Sequence, residues 1–277
     1  MTLPNFLVVG AMKSGTSSLW DYLGSHPQVF MARIKEPNFF VEQRNYHKGL
    51  DWYEGLFDGA QDAIAIGEAS PQYTMAHGFP GVPRRIVTII PDVRVIYILR
   101  HPVERMRSHY LHNRSIGTET RPPETAFRDL GYLHTSRYMY QLGHYLEHVP
   151  RDRIKLVTAE ALRDRRVETV ASIFSFLGVD PSFSPASLDR ERHVTANKRV
   201  VSPRYQRVRG GVLARLVAKV TPLRARKVAR RMATRPARVA DVVIPPELEE
   251  QILEALRPEV AALRAYMDPG FDGWGIA

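Results

Sequence analysis

The stretch Phe6-Leu7-Val8-Val9-Gly10-Ala11-Met12-Lys13-Ser14-Gly15-Thr16-Ser17-Ser18-Leu19-Trp20-Asp21-Tyr22-Leu23-Gly24 decides how this chain is read. Four consecutive apolar residues ending at a glycine have the pattern of a strand buried on both faces of a parallel sheet. From Ser17 the spacing becomes helical, with Leu19, Trp20 and Leu23 on one face. The turn between them holds Gly10, Gly15 and Lys13. A glycine-bearing turn from strand to helix presents unpaired backbone N–H groups, and the helix dipole adds positive potential at the same place. Lys13 and the hydroxyls of Ser14, Thr16, Ser17 and Ser18 contribute further donors, so the loop suits a phosphate or phosphosulfate.

Outward from this unit, Ala63–Gly67, Val93–Leu99 and Ile154–Val157 read as further strands. Helical spacing runs over Val103–Asn113, Tyr138–His148 and Val167–Leu177, and a helix start follows Thr158. Strands alternating with helices indicate an α/β fold, a P-loop-like parallel sheet flanked by helices. From about residue 200 the pattern is helical, over 203–219, 223–233 and 246–266, with Tyr205, Val208, Val212, Leu216 and Val220 as an apolar stripe. The expected organisation is a single domain over 1–277, a nucleotide-binding α/β core at 1–200 and a helical, basic C-terminal extension at 201–277.

Composition narrows the function classes. With 44% hydrophobic and 25% charged residues, the chain matches globular proteins rather than disordered or fibrous ones. The absence of cysteine excludes a disulfide framework, a thiolate zinc site and a cysteine nucleophile. The ten histidines show no H-E-x-x-H spacing, so no metal is expected. No apolar run approaches a membrane span, and Phe6–Val9 is too short for a signal peptide, so the expected localisation is cytoplasmic, or the chain is the catalytic part of a membrane-anchored enzyme. The net charge of +10 is concentrated: Arg192–Ala240 holds 15 Lys or Arg and no acid. Such a segment steers an anionic small molecule, meets an anionic acceptor, touches a membrane surface peripherally, or is simply a solvated basic helix. Nucleic acid is disfavoured as a partner, because Tyr205 is the sole aromatic residue between 204 and 240. Oligomeric state leaves no mark in the sequence.

The loop is close to the Walker A pattern G-x-x-x-x-G-K-[ST] and departs from it at one place. Gly10 and Gly15 have the right spacing, but Thr16 stands where the lysine belongs and Lys13 sits inside the loop. This weakens a P-loop small-molecule kinase, which remains the alternative reading; magnesium-dependent turnover of ATP distinguishes it.

With its lysine in that position, Phe6–Gln28 resembles the 5′-phosphosulfate loop of sulfotransferases that use 3′-phosphoadenosine 5′-phosphosulfate (PAPS). It is closest to the heparan sulfate N- and 3-O-sulfotransferase branch and its bacterial relatives, whose G-x-x-K-[STG]-G-T-[ST] continues to L-x-x-x-L-x-x-H-P; Leu19, Leu23, His26 and Pro27 complete it. Further segments follow in order. Lys35-Glu36-Pro37-Asn38-Phe39-Phe40 resembles K-E-x-H-F-F, and Gly49–Phe57 resembles G-x-x-W-Y-x-x-x-F. Glu68-Ala69-Ser70-Pro71-Gln72-Tyr73 resembles E-K-[ST]-P-x-Y. Leu99–Arg105 with Ser108 and Tyr110 resembles L-R-[DH]-P-x-x-R-x-x-S-x-Y, and Trp274 after an apolar helix matches the family's ending.

The resemblance implies transfer of a sulfuryl group from PAPS to a hydroxyl of a small-molecule, glycoside or glycolipid acceptor, releasing adenosine 3′,5′-bisphosphate. It implies that Lys13, Ser14, Gly15, Thr16, Ser17 and Ser18 bind the phosphosulfate and that Arg100 and Ser108 hold the 3′-phosphate. Lys13 and Glu36 are the catalytic pair, with Glu36 taking the acceptor proton and its aromatic neighbours forming a dry lining that makes it a stronger base. Were Glu36 not the base, His77 is the next to test. Lys198 and Arg199 are the counterparts of the family's basic loop over the nucleotide. Arg105 and Arg107 are expected to face solvent or pair with acids. Asn38 and Ala69 stand where the heparan enzymes have histidine and lysine; both are expected on the acceptor side, which argues against a heparan-like acceptor. The arginine-rich composition points to a bacterial enzyme that tailors a sugar, lipid or secondary metabolite.

Overall fold

The computed structural model describes residues 2–184, 198–201 and 234–276. Five strands form one parallel sheet: β1 (Phe6–Gly10), β2 (Val29–Met31), β3 (Ala65–Ala69), β4 (Arg94–Leu99) and β5 (Ile154–Thr158), in the order β2-β3-β1-β4-β5. The expected strands are all present with shifted ends, and β2 is an addition. Alternation along β1 and β4 divides the core. Leu7, Val9, Val95, Tyr97 and Leu99 face one layer, with Val82 and Ile86 of α3 (Val82–Ile89) and Leu142 and Tyr145 of α7 (Tyr138–Leu146). Phe6, Val8, Ile96 and Ile98 face the other, with Leu19 and Leu23 of α1 (Thr16–Gly24) and Ile173 and Phe174 of α9 (Arg166–Leu177). The other helices met along the chain are α2 (Leu50–Glu54), α4 (Pro102–Ile116), the short α5 (Pro123–Ala126) and α6 (Leu130–His134), and α8 (Ala159–Asp164). Strands buried on both faces are what near-continuous apolar runs produce. At β3 the register sets Gly67 opposite Phe6, and a Cβ on Gly67 would lie 2.3 Å from that ring, so only glycine fits. Thr158 Oγ1 accepts from the Ala161 N–H at 3.0 Å and starts α8 as an N-cap.

Two compact units are distinguished: Met1–Arg105, His134–His193 and Leu253–Ala277 in one, Met106–Leu133 and Val194–Ile252 in the other. The first holds the sheet. In the second, Tyr110, Phe127 and Tyr132 pack together, Glu119 accepts from Arg121 Nη2 at 2.7 Å, and β6 (Lys198–Val201) pairs antiparallel with β7 (Thr234–Ala237). The C-terminal helix expected at 246–266 is α10 (Pro246–Arg264). The helices expected at 203–219 and 223–233, and nearly all of the basic segment, lie outside the described residues. In the first unit, Trp274 Nε1 donates to Glu160 Oε2 at 3.2 Å while Glu160 Oε1 accepts from the His101 N–H at 3.0 Å, fastening the chain end to the turn after β4.

Candidate active site

Successive neighbours of β1 lie on opposite sides of it, β3 on one and β4 on the other. In parallel sheets the crevice beyond the carboxyl end of such a strand is the favoured ligand position. The loop that leaves β1 there is shaped by two left-handed residues, Lys13 (φ 73°) and Gly15 (φ 103°). Gly15 is the N-cap of α1 and carries no side chain to cap it, so the first-turn N–H groups have no acceptor inside the helix. Ser14 is buried and its Oγ has no hydrogen-bond partner, while Thr16 is buried and Ser17 and Ser18 are half-buried. Such a cradle of donors fits an anion.

The end of β4 delivers Arg100 to this loop: its Nη1 donates to the Lys13 carbonyl at 3.3 Å, and its Nη2 lies 3.6 Å from Glu104. From the other side Lys35 Nζ donates to Ser17 Oγ. This contact sets the segment carrying Glu36 against the first turn of α1. Lys13, the serine and threonine hydroxyls, Arg100 and Glu36 thus belong to one neighbourhood in the first unit. Ser108 lies on the part of α4 that belongs to the second unit, buried, with its Oγ unpartnered. Lys198 and Arg199 lie on β6, also in the second unit.

Glu36 is half-buried, and its backbone is left-handed (φ 55°), as is that of Asn38 (φ 50°). Asn38 is turned inward: its Nδ2 donates to the Glu36 carbonyl at 2.8 Å, so it braces the loop rather than facing an acceptor. Ala69 is buried in the core layer with Phe6, Val8 and Leu19, a second departure from the acceptor-side expectation, because strand alternation turns residue 69 away from the face that Glu68 occupies. Phe39 and Phe40 are likewise core residues, Phe39 stacked on Tyr53 at 4.2 Å between ring centres, and they anchor the loop.

One functional candidate was not singled out by the sequence reading. Glu68, near the end of β3, is completely buried and accepts from Tyr73 Oη at 2.6 Å, Ser70 Oγ at 2.8 Å and Tyr53 Oη at 3.4 Å. Burial pushes its carboxyl up to about 7; the three hydroxyls pull the other way, and the Glu36 charge adds to the rise. A lone charge inside the apolar strand Ala65-Ile66-Gly67-Glu68-Ala69 was the available signal.

Placement bears on two other expectations, those for Arg105 and Arg107. Arg105 does not reach solvent: it is fully buried and its Nε donates to Ser136 Oγ at 2.7 Å, because its turn of α4 faces the chain entering α7. Arg107 pairs with Glu249 at 2.7 Å, as expected. His77 stacks on His134 with ring centres 5.4 Å apart, and burial followed by the charges of His134 and Arg105 lowers its proton affinity. Among the described residues no cluster of potential metal ligands occurs, and no helix is long and apolar enough to cross a membrane.

The family model described as "Sulfotransferase domain" matches residues 3–200. The human heparan sulfate glucosamine 3-O-sulfotransferase 6 is 29% identical over 229 residues, covering 78% of this chain and 62% of that protein. The human bifunctional heparan sulfate N-deacetylase/N-sulfotransferase 2 is 30% identical over 200 residues, covering 65% of this chain and 22% of that protein. The chain therefore spans less than two thirds of these curated relatives. A sulfotransferase crystal structure from Alicyclobacillus acidocaldarius superposes with a TM-score of 0.72 at 24% identity, covering 99% of this chain and 100% of that one, a likeness of fold.

Proposed function

We propose a reaction from a premise those matches make plain: this chain belongs to the sulfotransferase domain family. The reaction is transfer of a sulfuryl group from PAPS to a hydroxyl of a small-molecule, glycoside or glycolipid acceptor. The observation that carries this reading is the convergence on the β1–α1 loop of Lys13, the α1 N-terminus without a side-chain cap, the unpartnered Ser14 hydroxyl, Arg100 and the Lys35–Glu36 segment. The loop donors and Lys13 hold the phosphosulfate, and Lys13 stabilises charge that grows on the bridging oxygen as the S–O bond to the leaving adenosine 3′,5′-bisphosphate breaks. Glu36 takes the acceptor proton as the new S–O bond forms. The resemblance assigns Arg100 and Ser108 to the 3′-phosphate, and Lys198 and Arg199 to the same nucleotide.

The donor-side segments resemble the pattern of the heparan sulfate sulfotransferases, whereas Asn38 and Ala69 stand where that pattern has histidine and lysine. The donor-side likeness supports the same reaction, and Asn38 and Ala69, both turned into the fold, leave the acceptor class open. Calorimetry with adenosine 3′,5′-bisphosphate and adenosine 5′-phosphate tests the donor site. One charge-assisted contact is worth about 1.5–3 kcal/mol, so a preference of at least about tenfold is expected for the bisphosphate. Equal affinities remove the 3′-phosphate assignment, and magnesium-dependent ATP turnover restores the kinase reading.

A further inference from the structure

The loop that carries Glu36 is held in a conformation that its own residues do not favour. Glu36 and Asn38, on either side of Pro37, both adopt left-handed backbone angles, which non-glycine residues sustain only where surrounding structure over-determines them. Two buried amide groups show what does so here. The Asn38 N–H donates to Ser70 Oγ at 3.0 Å, and the Phe40 N–H donates to Tyr73 Oη at 3.3 Å. Each hydroxyl accepts the amide on a lone pair and sends its own proton to Glu68, Ser70 to Oε2 at 2.8 Å and Tyr73 to Oε1 at 2.6 Å. One carboxyl group thereby orients two hydroxyls, and the two hydroxyls grip the backbone two and four residues beyond Glu36. Further contacts brace these groups from behind. Tyr53 also donates to Glu68, Phe39 stacks on Tyr53, and the Tyr73 carbonyl accepts from Tyr145 Oη at 3.0 Å.

We infer that Glu68 is a positioning residue of the sulfuryl-transfer site: through Ser70 and Tyr73 it fixes the Asn38 and Phe40 amides and so holds Glu36 beside the phosphate loop. The inference rests on the reading of Glu36 as the base, and it assigns a role to a carboxyl that touches neither donor nor acceptor. This positioning role accounts for a buried acid with three hydroxyl donors in an otherwise apolar strand. Lys35, bonded to Ser17, fixes the loop from its other end, so Glu36 is held between two anchors.

The test is a mutant cycle. Tyr73→Phe and Ser70→Ala each delete one hydroxyl and leave the ring or the Cβ in place. Displacing a catalytic group by a fraction of an ångström to one ångström costs up to about 100-fold, so each variant is expected to lower kcat about 10- to 100-fold. Affinity for adenosine 3′,5′-bisphosphate is expected to stay within about twofold, because the β1–α1 loop and Arg100 are untouched. The same changes are then made in a Glu36→Gln background. If Tyr73 and Ser70 act through Glu36, they cause no further loss there, since the proton acceptor is already gone. Losses that multiply in the double variants, or that strike nucleotide affinity equally, overturn the inference in favour of a purely structural role. Native kcat in both single variants, with Glu36→Gln disabled, overturns it while leaving the base assignment standing. Native kcat in Glu36→Gln removes the base assignment and this inference with it.

Discussion

Replacing Glu68 by glutamine should change how stability depends on pH, by an amount the structure sets. The carboxyl rises from an ordinary 4.5 to about 7, chiefly through burial. Between those values the folded chain keeps the proton while the unfolded chain has released it. The stability that protonated Glu68 contributes is therefore complete below about pH 4.5 and is lost as pH rises through 7. At about 1.4 kcal/mol for each tenfold change in proton affinity, the loss amounts to about 3 kcal/mol. Glutamine has no proton to lose in this range. Its side-chain oxygen accepts from Tyr73 as the native carboxyl does, and its amide meets Ser70. Urea unfolding of both proteins, followed by tryptophan fluorescence at intervals from pH 4.5 to 8, isolates the effect as a difference, so that histidines titrating in the same window cancel. The native protein should lose about 3 kcal/mol relative to Glu68→Gln across the window. Parallel curves would refute the reasoning: they would show that the three hydroxyls offset burial in full and that Glu68 is charged at all these pH values.

Two further outcomes follow from the site and the sheet. Lys13→Ala should abolish most turnover while weakening adenosine 3′,5′-bisphosphate far less, because in the proposed mechanism the lysine meets charge that develops in the transition state; single-turnover rates beside calorimetry separate the two, and proportional losses would reduce Lys13 to a binding residue. Gly67→Ala should destabilise the protein by about 1–3 kcal/mol, as overpacking of a close-packed core does, since its Cβ meets the Phe6 ring at 2.3 Å; thermal unfolding at the native level would show that β1 and β3 can separate without cost.

The parts of this fold that were legible are those where one physical demand acts alone. The β1 strand, its loop and α1 were read correctly because an unbroken apolar run, two glycines and a change of period have no competing explanation. The end of β3 was misplaced for the opposite reason. The expected strand ends at Gly67; in the fold it continues to Ala69, with the Glu68 carboxyl satisfied by the hydroxyls of Ser70, Tyr73 and Tyr53. Ser70 and Tyr73 lie in the turn just after Glu68, two and five residues on, whereas Tyr53 arrives from α2, and no local pattern announces its approach. The three-residue edge strand β2 is too short to establish a period. Arg105 was read by its charge, whereas its neighbours bury it and Ser136 receives its Nε–H.

The same topology explains why the site separates into two functions that mutation can tell apart. The β1 and β4 ends, which are adjacent and paired as far as Gly10 and Tyr97, bring Lys13 and Arg100 into contact. On the proposed reading both cations meet the anionic donor, so changes there should appear first in nucleotide affinity or in charge stabilisation. The β3 end brings no cation to the crevice. It brings a buried acid whose hydrogen bonds run through two hydroxyls to the backbone beyond Glu36. Changes there alter the angle and distance of a proton acceptor without altering the charge met by the nucleotide. An interaction that matters only while a proton moves must act on kcat and leave donor affinity alone. The order β3-β1-β4 therefore predicts the order of phenotypes across the sheet: variants at Ser70 and Tyr73 act on turnover, variants at Arg100 act on nucleotide binding, and Lys13, on the central strand's loop, acts on both.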